Sequence, residues 1–125
     1  LAAAVQSLGT RAGLPVYVNA ELDDLPERPS SSVEGIAYYV VSECLANVAK
    51  HAPGASAWVM LGHRGEQLRI EVRDDGPGGA TLHDGGGLVG LRDRVAAVDG
   101  TLRVVSPPGG PTSVLALLPF HTGEA

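Results

Sequence analysis

The sequence predicts an α+β fold, a two-layer α/β sandwich in which a mixed, mostly antiparallel sheet carries helices on one face. Residues 33–48 repeat apolar side chains at steps of three and four, which is typical of a helix that packs on a core. Four short runs further along the chain have the composition of strands, and the turn Arg64-Gly65-Glu66 joins the first two as a hairpin. The length of 125 residues fits a single domain, residues 1–125, around one hydrophobic core.

Composition excludes several classes of function. Hydrophobic residues make up 44% of the chain and charged residues 18%, which is typical of a globular protein. The net charge is −5 and the basic residues are scattered, which argues against a nucleic-acid partner. Cys44 is the single cysteine, so an internal disulfide and a multi-thiolate zinc site are excluded. Without an apolar run near 18 residues, we expect a cytoplasmic domain that makes no direct membrane contact, whether or not the parent protein is membrane-anchored.

The N-terminal part is predicted to alternate between helix and strand. Residues 1–12 place Ala, Val5 and Leu8 at helical spacing without a preceding cap, so they are interpreted as the tail of an upstream linker helix that ends at Gly13. Residues 14–18 alternate apolar side chains around Pro15 and predict a short edge strand. Residues 19–29 are acidic and rich in turn formers, so a loop is expected there.

The strongest helix prediction follows this loop. Ser30, Ser31 and Ser32 supply possible N-caps, and Glu34 adds a favourable charge in the first turn. Pro53 and Gly54 end the helix. Its predicted core stripe consists of Val33, Ile36, Ala37, Val40, Val41, Cys44, Leu45 and Val48.

Strands are predicted at residues 56–61, 68–73, 102–105 and 113–118, the last ended by Pro119. Residues 75–87 contain six glycines, so a mobile loop is expected. A second helix over residues 88–98 begins directly after these glycines. Its core face is predicted to carry Leu88, Leu91, Val95 and Val98.

Three constellations could carry chemistry. On a helical wheel, Glu43, Asn47 and Lys50 share one face of the long helix, with His51 nearby. Each alone is compatible with a solvated flank. Together they offer a carboxylate, an amide ligand for Mg²⁺ and two partners for phosphate.

The second constellation is Asp74-Asp75-Gly76-Pro77-Gly78-Gly79, directly after a strand. Asp-Gly and Pro-Gly pairs also mark ordinary turns. A carboxylate beside glycines that allow close backbone approach is equally suited to accept an exocyclic amine.

The third constellation, residues 85–92, runs from glycines into a helix. Free amides at a helix N-terminus bind anions, and glycine lets phosphate oxygens approach the main chain. The Lys-Ser/Thr ending of a P-loop is missing, so a flexible linker is the alternative interpretation.

The order of these stretches is more specific than any one of them. The chain reads Glu43-x-x-x-Asn47-x-x-Lys50-His51-Ala52, then Asp74-x-Gly76-x-Gly78, then Gly85-x-Gly87-Leu88-x-Gly90-Leu91-Arg92-Asp93-Arg94-Val95, and finally Gly110-x-Thr112. This series resembles the N, G1, G2 and G3 boxes of the ATP-binding domain (HATPase_c) of sensor histidine kinases. More narrowly, it resembles the NarL/DesK-type subfamily of the GHKL ATPase superfamily, whose two-layer sandwich agrees with the fold predicted above.

The resemblance implies a role for each matching residue. Asn47 would coordinate Mg²⁺, Glu43 would position a water near the metal or γ-phosphate, and Lys50 and His51 would contact phosphate or ribose. Asp74 would accept the adenine amine. The glycine and G3 positions, together with Leu88, would line the bound ATP: Gly76, Gly78, Gly85, Gly87, Gly90 and Thr112. Residues 80–86 would form the ATP lid.

The resemblance also implies partners and an activity. The γ-phosphate of ATP would pass to a histidine on separate dimerisation helices upstream, with the full-length kinase a dimer and a response regulator downstream. None of the four histidines lies in such a helix, so the acceptor is expected outside this chain. Two alternatives stay open: a GHKL ATPase that hydrolyses ATP with Glu43 as general base, and a degenerate nucleotide-binding scaffold.

Overall fold

A computed structural model of the chain describes residues 1–22, 25, 27–77 and 87–121. Three helices and five strands form in this part of the chain. In chain order they are α1 (Ala2–Arg11), β1 (Val16–Ala20), α2 (Ser31–His51), β2 (Ala57–Arg64), β3 (Gln67–Asp74), α3 (Gly87–Ala96), β4 (Thr101–Val105) and β5 (Thr112–Pro119).

The five strands form one sheet in the order β1-β2-β3-β5-β4. β1 runs parallel to β2, and the other three pairs are antiparallel. The predicted mixed, mostly antiparallel sheet is therefore confirmed, as is the hairpin of β2 and β3, in which Arg64 pairs with Gln67 across the turn.

Helix α2 begins and ends where the sequence predicts. The hydroxyl of Ser30 accepts a hydrogen bond from the Val33 amide at 3.2 Å, so Ser30 is the N-cap. Every residue of the predicted stripe is buried except Ile36, which is half-buried and packs against the core. The chain leaves the helix at Ala52, one residue before Pro53.

The helices cover one face of the sheet, because the buried residues of each central strand alternate with more exposed ones. α2 packs on β2, β3 and β5, while α1 packs on β1 and α3 packs on β4. The core between the two layers includes Val40 and Leu45 of α2 and Ile70 of β3. The predicted face of the second helix is confirmed, since Leu88, Leu91, Val95 and Val98 are all buried.

Several predicted boundaries are wrong by one to three residues. β1 extends over Asn19 and Ala20, which were predicted to be loop, because these residues pair with Met60 and Leu61 of β2. β2 continues past Leu61 to Arg64 because the hairpin ladder continues to the turn. Gly87 belongs to α3 and not to the glycine-rich loop, and the helix ends at Ala96 and not at residue 98.

None of the described helices is both long enough and apolar enough to cross a bilayer.

Candidate nucleotide site

Three of the predicted site residues, Asp74, Gly76 and Thr112, lie together at one end of the sheet. Asp74 ends β3, and Thr112 begins β5 as its direct cross-strand partner. Both side chains belong to the face that the helices cover. Gly78, Gly85 and the predicted lid, residues 80–86, lie outside the described residues.

Asp74 is the one buried charged residue in the described part of the chain, with 8% of its surface exposed. Its Oδ1 accepts a hydrogen bond from the Gly76 amide at 2.8 Å. Within the described residues, no donor is found for Oδ2. A buried carboxylate with one oxygen held by the backbone can offer the other to an amine donor of a ligand.

The close packing around Asp74 requires a glycine at position 76. A Cβ at this position would lie 2.6 Å from the Cβ of Ala52 and 2.9 Å from Oδ1 of Asp74. These distances are shorter than any van der Waals contact, so only glycine fits without a shift of the loop.

A second interaction, which the sequence analysis did not predict, fixes this loop. Oδ1 of Asp75 accepts a hydrogen bond from the Ser56 amide at 2.7 Å, and the Asp75 amide donates to the Ser56 carbonyl at 3.2 Å. The segment after β3 is thereby held against the residue that precedes β2. An aspartate following a strand is the only signal in the sequence, and it does not identify Ser56 as the partner.

The C-terminal end of helix α2 lies at the same end of the sheet, because its C-cap Ala52 packs against Gly76. Glu43 and Asn47 are half-buried, whereas Lys50 and His51 are exposed. Their spacing of four places Glu43 and Asn47 one above the other on the helix. The predicted face therefore runs from the edge of the core out to solvent.

Cys44 links this helix electrostatically to Asp74. The thiol is buried, and burial together with the negative charges of Glu43 and Asp74 raises its pKa from 9.0 to about 12. Cys44 is therefore a protonated core residue at neutral pH, without the thiolate character that reactive cysteines need.

The start of α3 supplies the third part of the candidate site. The helix begins at Gly87, directly after the glycine-rich segment, and Leu88 is buried while Gly90 is exposed. A Cβ at Gly90 would meet nothing within 4 Å. The guanidinium of Arg94 lies 4.4 Å from the ring centre of Tyr39, so a cation–π contact joins α3 to α2.

Thr112 is held by a neighbour from the turn before β5. Its Oγ1 lies 2.6 Å from the hydroxyl of Ser106, a hydrogen bond in which either oxygen can donate. Asp74 and Thr112 thus face each other at the strand ends, each fixed by a separate hydrogen bond.

An open cleft of about 390 Å³ lies beside this site. It is lined by the segment that follows α2, by the loop after β3 and by the β4–β5 turn: Ala52, Pro53, Gly54, Ala55, Asp75, Gly76, Pro77 and Gly109. Of the predicted site residues, only Gly76 lines it. The cleft therefore adjoins the candidate site without containing Asp74, Asn47 or Thr112.

The chain is similar to known proteins over most of its length. The family described as histidine kinase-, DNA gyrase B- and HSP90-like ATPase matches residues 33–122. The chain is 28% identical over 110 residues to the sensor histidine kinase LiaS of Bacillus subtilis, covering 86% of this chain and 31% of that protein. It is 36% identical over 121 residues to the sensor histidine kinase NarS of Mycobacterium tuberculosis, covering 91% of this chain and 27% of that protein.

A solved structure has the same fold. The histidine kinase domain of the blue-light activated histidine kinase EL346 of Erythrobacter litoralis superposes with a TM-score of 0.72 at 26% identity, over 93% of this chain and 57% of that one. This chain spans less than a third of the length of LiaS or NarS. With the family match over residues 33–122 and these relatives, the chain belongs to the HATPase_c family, the ATPase domain found in sensor histidine kinases.

Proposed function

We propose that residues 1–125 form the ATP-binding catalytic domain of a sensor histidine kinase of the NarL/DesK type. In this proposal the domain binds Mg·ATP and passes the γ-phosphate to a histidine on separate dimerisation helices of the full-length dimer, which then serves a response regulator. The observation that carries the proposal is the buried Asp74, which faces Thr112 and has Gly76 packed against it.

The adenine amine would be bound by Asp74. Oδ1 already accepts the Gly76 amide, so Oδ2 is the oxygen that remains for the ligand. Thr112 stands directly across the strand pair, at the position where a hydroxyl can steady the ring. Gly78, four residues after Asp74 in the sequence, would give room for the base.

The triphosphate would lie between the polar face of α2 and the start of α3. The N-terminus of α3 offers amides and the positive end of its dipole, with Gly85, Gly87, Leu88 and Gly90 as the cradle. Lys50 and His51 are exposed near the last turn of α2, where they can reach phosphate or ribose.

The side-chain oxygens on the polar face of α2 are suitable ligands for magnesium. Mg²⁺ keeps most of its waters and takes one or two protein oxygens together with phosphate oxygens. The described residues contain no cluster of three or more His, Cys, Asp or Glu side chains suited to a metal, so an ion here would depend on the nucleotide. We propose the amide oxygen of Asn47 as its ligand, with Glu43 one turn away positioning a water. The metal would supply charge neutralisation at the phosphates.

Nucleotide binding to the purified domain tests the site. Asp74→Asn should weaken Mg·ATP binding by roughly 5- to 150-fold, the cost of about 1 to 3 kcal/mol for losing a buried hydrogen bond. Inosine triphosphate, which carries a carbonyl in place of the amine, should bind the wild type more weakly than ATP does and should gain from the variant. Equal affinity of wild type and variant for ATP would refute the assignment of Asp74.

Transfer and hydrolysis are then separated with labelled ATP. The dimerisation helices supplied in trans should acquire label on histidine, and Asn47→Ala should abolish it. Sustained release of phosphate without labelled histidine, lost in Glu43→Ala, would instead identify an ATPase. Nucleotide binding with neither product would identify a scaffold.

A further inference from the structure

The face of the sheet opposite the helices carries the exposed apolar surface of the described chain. Three large hydrophobic side chains are exposed there, Tyr17 by 57%, Trp58 by 37% and Val105 by 48%. Each alternates along its strand with residues that pack on the core, so all three belong to this one face. We call it the open face.

The sheet register places the three side chains in a single row. Tyr17 pairs with Trp58, and Trp58 pairs with Arg73. Arg73 pairs with Ser113, and Ser113 pairs with Val105. The row therefore crosses all five strands, one residue away from Asp74 on β3. The rings of Tyr17 and Trp58 are stacked, with centres 5.7 Å apart and planes inclined by 24°.

The next row adds further apolar surface. It contains the half-buried Met60 and Leu115, each paired with Glu71. A sheet with one solvated face normally presents polar residues to water on that face. Contiguous exposed apolar surface with a polar rim marks an interaction site more often than an idle surface.

The open face is also positively charged, although the chain has a net charge of −5. Glu71 is already neutralised, because it accepts hydrogen bonds from Arg69 at 3.0 Å and from Ser113 at 2.9 Å. Arg73 and Arg103 are exposed and form no ion pair within the described part of the chain. Two unneutralised cations thus lie among the apolar side chains of these two rows, Arg73 between Trp58 and Ser113 and Arg103 beside Leu115.

We propose that the open face docks another protein through a surface on which apolar side chains alternate with carboxylates. Carboxylates of such a partner would meet Arg73 and Arg103 while its apolar residues cover Trp58 and Tyr17. A second copy packed face to face would bring the arginines of both copies together, which charge repulsion disfavours. Nucleic acid is disfavoured because the few free arginines of this face, on a chain with a net charge of −5, neutralise few phosphates.

The open face is small for a protein–protein interface. Five strands span about 24 Å and five residues along a strand span about 17 Å, which gives roughly half of the ~800 Å² per partner of a standard interface. An area of this size is typical of transient complexes.

Trp58 is the only tryptophan of the chain and reports directly on this surface. We would titrate the protein with an amphipathic peptide of Leu and Glu and with the same peptide carrying Lys in place of Glu, following Trp58 emission. The acidic peptide should bind at least tenfold more tightly. The double variant Arg73→Glu/Arg103→Glu should reverse or cancel this preference. The single variant Arg103→Glu should reduce it. Arg11→Glu, on α1, should leave it unchanged.

Two results of the peptide titration would overturn the proposal: no saturable change in Trp58 emission with either peptide, or equal affinity for both peptides. Tighter binding of a single-stranded oligonucleotide, or of vesicles containing phosphatidylserine, than of the acidic peptide would also overturn it. So would a dimer in sedimentation that buries Trp58. Circular dichroism of each variant establishes that it is folded. Mg·ATP affinity is measured in the same samples, and its loss would bear on the proposed nucleotide site alone, since the open face lies on the other side of the sheet.

Discussion

At the scale of single residues, the candidate site depends on how little space surrounds Asp74. Gly76 approaches so closely that its amide bonds the carboxylate, and the Cβ of Ala52 occupies the space a side chain would need. Asp75 anchors the same loop to Ser56. The Asp74 carboxylate is thus fixed by the Gly76 amide on a loop that Asp75 holds in place, which is the preorganisation that selective binding of an amine requires.

Gly76→Ala should therefore affect both stability and binding. Its Cβ would need to displace Ala52 or Asp74, which we expect to cost about 1 to 3 kcal/mol of unfolding free energy and at least tenfold in ATP affinity. Urea unfolding and nucleotide titration measure the two effects. Gly62→Ala in β2 meets nothing within 4 Å and is the matched control, in which ATP affinity should be unchanged. Wild-type affinity in Gly76→Ala would contradict the close packing.

The buried thiol of Cys44 makes stability depend on pH in the alkaline range. The unfolded chain loses the thiol proton near pH 9, whereas the folded protein keeps it until the pKa of about 12. The unfolded state therefore gains stability between these values, and the unfolding free energy should fall by about 1.4 kcal/mol per pH unit there. Below pH 9 the thiol is neutral in both the folded and the unfolded state, so it does not make the unfolding free energy depend on pH.

Cys44→Ala isolates this contribution, because the two proteins differ in this one titratable group. Denaturant unfolding from pH 7 to 11 should give parallel curves below pH 9 and a shallower decline for the variant above it. Parallel curves throughout would mean that the thiol is not buried in the folded protein.

At the scale of elements, α2 supplies both the core stripe and the polar face of the candidate site. Its start is defined by the Ser30 hydroxyl bonding the Val33 amide. Ser30→Ala should lower the unfolding free energy by about 1 kcal/mol, the usual cost of removing an N-cap. Ser32→Ala, at an exposed position in the first turn, should change it by less than half as much. Equal losses in the two variants would show that the cap is not specific to Ser30.

Helix α2 was predictable because its apolar period, its cap and its terminating proline all lie within one continuous segment. The parallel pairing of β1 with β2 was not, since ladder direction leaves no mark in a five-residue strand. The same holds for Asn19 and Ala20, whose strand conformation comes from pairing with Met60 and Leu61 and not from their own propensity.

The site shows the same division. The spacing of Glu43 and Asn47 on one helix face is readable from the sequence, as is an aspartate at a strand end. The facing of Asp74 and Thr112, 38 positions apart, depends on the order in which β3 and β5 join the sheet. Likewise, the cation–π contact between Arg94 and Tyr39 follows from the packing of α3 on α2, which no local pattern specifies.

At the scale of the whole molecule, the two faces of the sheet are separate surfaces. The helical face holds the core and, at one end, the candidate nucleotide site, while the open face carries the aromatic row. Because the strand residues of the two faces alternate, Arg73 on the open face directly precedes Asp74 on the covered face. The two proposed ligands would therefore contact neighbouring residues of β3 from opposite faces of the sheet.

Binding at the site should stabilise the entire fold, because ATP is expected to bind only the assembled arrangement of α2, β3, β5 and α3. At a free concentration of 100 Kd, Mg·ATP should add about 2.7 kcal/mol to the unfolding free energy and raise the melting temperature by roughly 10 °C for a chain of this size. Asp74→Asn, which binds 5- to 150-fold more weakly, should lose between about one third and nine tenths of this increment at the same concentration. Ser30→Ala should melt lower and yet keep the full increment, since the cap is remote from the site and independent effects add. An increment in Asp74→Asn equal to that of the wild type would place the nucleotide elsewhere on the molecule.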